Sequence, residues 1–170
     1  ASKRLPGKPL KKIGKKTMIQ TVYERAKKIG CAKTIVATDD KRIFKHCIIN
    51  KINCLMTKKS HRTGSDRVAE AFFKLKKFDS VINIQGDEPF ISKSLIEKCL
   101  KKLKNKKVEV VEGISPIDSI SDVLNSGVVK VVINKKKIIA VSRFPIPYTQ
   151  NKFSNFKYFR AVGIYGYKKK

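Results

Sequence analysis

The sequence predicts an α/β protein built on a doubly wound, mostly parallel sheet with helices on both faces and a mixed, strand-rich C-terminal extension. Three observations predict it. Short β-branched apolar runs alternate with amphipathic helical segments through the first hundred residues, and such alternation places crossover helices between parallel strands. From residue 108 onward, Val- and Ile-rich runs follow one another with little helical pattern between them. A chain of 170 residues with 41% hydrophobic content is long and apolar enough for one buried core. The reading is a single domain over residues 1–170.

After a basic loop, residues 16–30 place Met18, Ile19, Val22, Ala26 and Ile29 near one helical face, and Gly30 suits a C-terminal cap. Residues 34–38 form a short β-branched strand. Asp39 and Asp40 can then start a helix carrying Ile43, Phe44, Cys47 and Ile48. A strand is expected near 54–56 and a helix over 65–76, with Val68, Ala69, Phe72 and Leu75 inward. Residues 80–84 read as a buried strand, and 92–104 as a helix with Leu95, Ile96, Cys99 and Leu103 on its apolar side. Strands follow at 108–114, 128–133, 138–141 and 160–167, with a hairpin turn over 134–137. This Rossmann-like pattern places ligands beyond the carboxyl ends of the strands.

The formal charge of +27 raises nucleic acid or an anionic membrane surface as a partner. Only seven of the 40 basic residues are arginine, and the lysines lie in scattered pairs such as Lys15-Lys16, Lys27-Lys28 and Lys76-Lys77. That pattern fits solvated helix faces of a lysine-rich protein better than an evolved binding face, which clusters and favours arginine. No specific nucleic-acid partner is expected. Cys31, Cys47, Cys54 and Cys99 form no CxxC pair, and His46 and His61 complete no zinc spacing with them. Free thiols, no signal-peptide core and no membrane-length apolar run predict a cytoplasmic protein.

Five segments carry candidate chemistry. The opening, Ser2-Lys3-Arg4-Leu5-Pro6-Gly7-Lys8-Pro9-Leu10, concentrates cations around a glycine. Backbone amides near Gly7, the Arg4 fork and the Lys8 point charge can wrap a polyphosphate, although a solvated tail has the same composition. It is not a Walker loop, since neither the Gly-Lys-Ser/Thr ending nor a preceding strand is present. His61-Arg62-Thr63-Gly64-Ser65-Asp66-Arg67 opens a helix whose amides can meet an acceptor-rich group, or can be capped by Thr63 or Ser65 and do nothing more. Asn83-Ile84-Gln85-Gly86-Asp87-Glu88-Pro89-Phe90 sets two carboxylates after a buried strand, which fits a magnesium site as well as an ordinary turn. Asp87 is the ligand of choice there, with Glu88 structural. Further on, Arg143 closes a strand in Val141-Ser142-Arg143-Phe144-Pro145-Ile146-Pro147-Tyr148 and suits a carboxylate. The aromatic residues of Gly163-Ile164-Tyr165-Gly166-Tyr167 fit core packing as readily as ligand contact.

In order and wording these segments, from SKRLPGKPL through ATDD, MTKKSHRTGSDRVAEA, NIQGDEPF and VSRFPIPY to GIYGY, resemble the 3-deoxy-manno-octulosonate (Kdo) cytidylyltransferases across the chain. The resemblance implies a nucleotidyltransferase that moves CMP from CTP to the anomeric hydroxyl of Kdo, releasing pyrophosphate, for lipopolysaccharide assembly. It implies Mg2+ as cofactor with Asp87 as ligand, and Arg4, Lys8 and Asp87 as the catalytic set. Arg4, Gly7, Lys8, Thr63, Gly64 and Gln85 would surround the nucleotide, Arg143 and Tyr165 would face the sugar acid, and the complete protein would be a homodimer.

Departures from the family pattern add expectations. The family's first strand, ending in Pro-Ala-Arg, and its C-terminal region with a second metal carboxylate are expected to be missing. Ala161 stands where members commonly carry histidine. Rival readings are a cytidylyltransferase for amino-Kdo or a sialic acid, a basic RNA- or membrane-surface module, and an inactive truncated remnant.

Overall fold

A computed structural model describes residues 7–149 and 156–169, which leaves Arg4 outside the described residues. These residues form two compact units. One comprises 7–111 and 163–169, and the other 112–149 and 156–162.

The first unit opens with a 3₁₀ turn, Lys8–Leu10, entered through Gly7 at φ 71°, a left-handed value that glycine adopts without a Cβ penalty. Strands β1 (Lys12–Ile13) and β2 (Lys16–Thr17) pair antiparallel around Gly14. This small ladder takes up Lys16, so α1 (Met18–Lys27) starts two residues later than the apolar periodicity suggests. Thr17 is its cap, accepting from the Gln20 amide. α1 buries Ile19, Val22 and Tyr23, an i, i+3, i+4 stripe. These pack toward β3 (Val36–Thr38) and α2 (Lys41–Ile49), and Ile19, Tyr23, Val36, Cys47 and Ile52 form one buried cluster. Each large apolar side chain enclosed in this way contributes about 1.5–3 kcal/mol.

β3 pairs in parallel with β4 (Cys54–Met56), with α2 as the crossover. α3 (Gly64–Leu75) follows, then β5 (Ser80–Ile84) and α4 (Lys93–Leu103), which buries Ile96, Cys99 and Leu103. β5 takes its partner from the far end of the chain. It runs antiparallel to β9 (Phe159–Lys168), in register from Ser80 opposite Lys168 to Ile84 opposite Ile164.

In the second unit the end of β6 (Val110–Pro116) leads to a one-turn helix, α5 (Ile120–Leu124), which the sequence pattern did not single out because five residues are too few to show a period. β7 (Lys130–Asn134) and β8 (Lys137–Ser142) then form the expected hairpin. Lys135 and Lys136 occupy the turn at φ 44° and 71°, unusual values for lysine. β7 also pairs antiparallel with the start of β9. The protein is thus α/β as predicted, with parallel pairing at β3–β4 and antiparallel pairing where β9 returns alongside β5 and β7.

Two carboxylates make stability sensitive to acid. Asp40 caps α2 and is held down to about 2 chiefly by the Arg42 guanidinium, with Oδ2 to Nη2 at 2.6 Å. Glu70 is also held down to about 2, first by Lys74, then by the Lys58 amide and His61. A carboxylate whose folded pKa lies below its unfolded value stabilises the fold above the unfolded pKa, about 4, and this contribution is lost as pH falls toward 2. The urea midpoint should therefore fall between about pH 4.5 and 2. Asp40→Asn, which keeps the cap, combined with Glu70→Gln should flatten that slope, and an unchanged slope would contradict this account.

Candidate active site

The first unit contains a cavity of about 1430 Å³, bordered by Gly7, Lys8, Gly64, Gln85 and Asp87. Four of the residues expected around a nucleotide and the expected metal ligand, from three separate stretches of sequence, therefore meet at one opening. The closest link is between the opening loop and the end of β5: Lys8 Nζ lies 2.8 Å from Asp87 Oδ2, across 79 residues of sequence. Both side chains are partly exposed, at 33% and 41%, so a ligand can reach them.

The turn after β5 explains why its two carboxylates differ. The Gln85 amide donates to the Gly163 carbonyl at 2.8 Å, and the Glu88 amide closes the turn onto the Gln85 carbonyl at 3.1 Å. Glu88 lies against Gly163, accepting from its amide at 3.4 Å. A Cβ at Gly163 would stand 2.8 Å from Glu88 Cγ, so only glycine leaves room for this contact. Glu88 is thus turned to β9, and Asp87 is presented at the cavity.

Thr63 and Gly64 mark the start of α3. Thr63 is the N-cap in a reciprocal capping box: its Oγ1 accepts from the Asp66 amide at 3.1 Å, and Asp66 Oδ2 accepts from the Thr63 amide at 3.0 Å. Gly64 borders the cavity, while Thr63 itself does not line it. Tyr165 sits in β9 opposite Asn83 and does not line it either. Arg143 belongs to the second unit, where Nη1 donates to the Ser126 carbonyl at 2.8 Å.

Asp39 and Arg67 also border the cavity, where the sequence reading took Asp39 only as a helix start and gave Arg67 no role of its own. Arg67 Nη2 donates to Asp39 Oδ2 at 2.9 Å and Nη1 to Thr57 Oγ1 at 2.5 Å, so one guanidinium fastens the exits of β3 and β4 to α3. Both side chains are largely enclosed, at 12% and 20% exposure. The signal available in sequence was an Asp directly after a predicted strand, together with an arginine one turn into a helix. Neither points to the other until the fold is known.

A cationic loop that meets a carboxylate at the carboxyl end of a strand, in an α/β unit beside a helix start, suits a phosphate-bearing ligand. Comparison with known proteins places it further. A family model described as Cytidylyltransferase matches residues 1–170. The chain is 42% identical to the 3-deoxy-manno-octulosonate cytidylyltransferase of Fusobacterium nucleatum over 171 residues, covering 99% of this chain and 69% of that protein. It is 39% identical to the protein of the same name from Polynucleobacter necessarius, over 98% of this chain and 68% of the relative. Among solved structures, CMP:2-keto-3-deoxy-manno-octonic acid synthetase complexed with CTP superposes with a TM-score of 0.89 at 38% identity, over 99% of this chain and 70% of that one. The 4-diphosphocytidyl-2C-methyl-D-erythritol synthase of Anaerococcus prevotii shares the fold at 18% identity, with a TM-score of 0.55 over 94% of this chain and 65% of that one. The chain belongs to the cytidylyltransferases, and among them to the 3-deoxy-manno-octulosonate cytidylyltransferase family. No helix among the described residues is long and apolar enough to cross a membrane.

Proposed function

We propose that the protein transfers CMP from CTP to the anomeric hydroxyl of Kdo, releasing pyrophosphate, as a step toward lipopolysaccharide. The observation that carries this reading is the convergence of Lys8 and Asp87 at 2.8 Å on the rim of a cavity also bordered by Gly64 and Gln85. The names of the relatives at about 40% identity, and of the CTP-bound structure, support the choice of nucleotide and sugar acid.

The reaction is a displacement at the α-phosphorus. The Kdo hydroxyl oxygen forms the new P–O bond, its proton is released, and the bond to the pyrophosphate oxygen breaks with the electron pair leaving on pyrophosphate. No side-chain nucleophile is required, so the protein's task is to align the two substrates and offset charge on the triphosphate. Lys8 supplies a point charge, and the left-handed Gly7 lets the main chain approach phosphate oxygens closely. Lys8 is engaged by Asp87, and a triphosphate would compete for its ammonium. Arg4 is assigned to the same phosphates. Gln85, with Thr63 and Gly64 at the start of α3, is assigned to the cytidine. Arg143 and Tyr165 are assigned to the sugar acid, with Arg143 on its carboxylate.

Magnesium fits this site by the chemistry of its donors. Among the described residues no cluster of three or more His, Cys, Asp or Glu side chains could hold a metal by itself. Magnesium is commonly held by one or two carboxylates together with substrate phosphates, and the outward hard oxygens of Asp87 suit that arrangement. When bound, the ion would neutralise phosphate charge and polarise the reacting phosphoryl group. The homodimer is part of the same proposal, supported by exposed Ile139 and Val141 on β8, which ends the strand order.

Pyrophosphate release tests the assignment, measured with CTP and magnesium against a panel of Kdo, amino-Kdo and a sialic acid. Kdo should give the highest kcat/KM. A clear preference for another acid would move the assignment to that sugar. Absence of turnover with every acid, together with saturable RNA binding that persists at moderate salt, would favour a nucleic-acid module instead.

A further inference from the structure

The second unit contains a charge that the mechanism above does not use. The Lys130 side chain in β7 has 0% exposure. Its ammonium donates to three main-chain carbonyl oxygens: Asn125 at 2.9 Å, Val128 at 2.7 Å and Arg143 at 2.5 Å. An ammonium carries three donors, and all three are engaged by neutral acceptors. Enclosing a cation this way is costly, and its three bonds satisfy carbonyl oxygens that an apolar side chain would leave without this donor. Burial pulls the Lys130 pKa below its ordinary value, and the nearby Arg143 charge adds to the effect. The three bonds tie together main-chain segments that are apart in sequence.

They hold the seat of Arg143. Two bonds grip the turn between α5 and β7, at Asn125 and Val128, and the third grips the Arg143 carbonyl just beyond the end of β8. The Arg143 side chain returns to the same turn, donating from Nη1 to the Ser126 carbonyl at 2.8 Å. The turn is itself braced by Asn125 Oδ1, which accepts from the Gly127 amide at 2.8 Å. After Arg143, the Phe144 amide donates to Ser142 Oγ at 2.9 Å. Arg143 is thus fixed at its backbone through Lys130 and at its guanidinium through Ser126, with both anchors on residues 125–128. A planar fork held at both ends is already oriented for a carboxylate, which lowers the ordering cost of binding one.

We propose that Lys130 is a positioning residue for Arg143, fixing the guanidinium that receives the carboxylate of the sugar-acid substrate. The proposal rests on the assignment of Arg143 to that carboxylate. Kinetics of Lys130→Met, Lys130→Gln, Arg143→Ala and the Lys130→Met/Arg143→Ala double variant test it, after thermal melts establish which variants fold. Lys130→Met should raise KM for Kdo by about tenfold to a hundredfold, the range expected when a binding group shifts by about 1 Å, and leave KM for CTP within about twofold. Lys130→Gln, which retains donors without the charge, should give a smaller rise in the same constant and serves if the methionine variant does not fold. In the Arg143→Ala background, Lys130→Met should have no further effect on KM for Kdo, because it acts through the residue removed.

Equal rises in both KM values, additive effects in the double variant, or failure of both Lys130 variants to fold would each overturn the proposal in favour of a purely structural lysine. An Arg143→Ala variant with unchanged KM for Kdo would overturn the carboxylate assignment and this inference with it. A raised KM for Arg143→Ala beside unaffected Lys130 variants would overturn this inference alone.

Discussion

Replacing Asp87 with asparagine is expected to lower kcat by about a thousandfold, the largest loss from any single substitution in the first unit. Asparagine keeps the volume of the side chain and removes its charge. The charge is what opposes Lys8 at 2.8 Å, and on the proposed reading it would hold magnesium beside the triphosphate. A metal contact that stabilises transition-state charge is worth several kcal/mol, and about 1.4 kcal/mol corresponds to each factor of ten. The fold should survive, since Asp87 is partly exposed and its recorded partner is a lysine at the surface. Pyrophosphate release under saturating CTP and Kdo, alongside a thermal melt, measures both halves of this expectation. A variant that melts like the parent and retains more than about a tenth of its turnover would remove Asp87 from the metal role.

The largest effect on stability is expected at Gly166. This residue lies in β9 opposite Ile82, and a Cβ built there would stand 2.6 Å from Leu103 Cδ1, 2.6 Å from Val111 Cγ2 and 2.7 Å from Ile82 Cδ1. Three side chains from α4, β6 and β5 would have to retreat together, and Leu103 is already only 2% exposed. Gly166→Val should cost about 2–3 kcal/mol through overpacking and lower Tm by roughly 5–10 °C. The neighbouring glycine of the same motif behaves differently. At Gly163 the obstacle is the Glu88 side chain, which can swing aside, so Gly163→Ala should disturb the turn that presents Asp87 more than it disturbs the melt. A Gly166→Val protein that melts within about 2 °C of the parent would show that the strand has room the structure does not record.

Much of the fold was legible because its signals are local. The strands at Cys54–Met56 and Ser80–Ile84 follow directly from apolar runs bounded by polar residues, and α2 follows from the Asp39-Asp40 start. The 134–137 hairpin was legible for the same reason. The late start of α1 was not, because the β1–β2 ladder that claims Lys16 and Thr17 arises from a four-residue pairing around Gly14. The company β5 keeps was not legible either. Its register with β9 spans some eighty residues, and no periodicity in either strand specifies the other.

The candidate site divides in the same way. Lys8, Gly64 and Asp87 lay in segments readable as able to meet phosphate or metal, each with an ordinary explanation on its own, and Gln85 entered only through the resemblance, beside the cytidine. Resemblance to a family joined them on paper, and the 2.8 Å pair joins two of them in space. Arg67 and Asp39 escaped notice as a pair because their importance lies in each other, and Lys130 because nothing in a lysine within a valine-rich strand marks its ammonium as enclosed.

The pairing of β5 with β9 has a bearing on when, in the life of each molecule, the site comes into being. Translation delivers residues 80–88 long before 163–168, so the turn that displays Asp87 emerges from the ribosome while the strand it leans on has yet to be made. A nascent polypeptide arrested before Gly163 would carry every side chain assigned to cytidine and phosphate, yet lack the scaffold that holds Gln85 and Glu88 in their turn. Nucleotide capture therefore waits for β9.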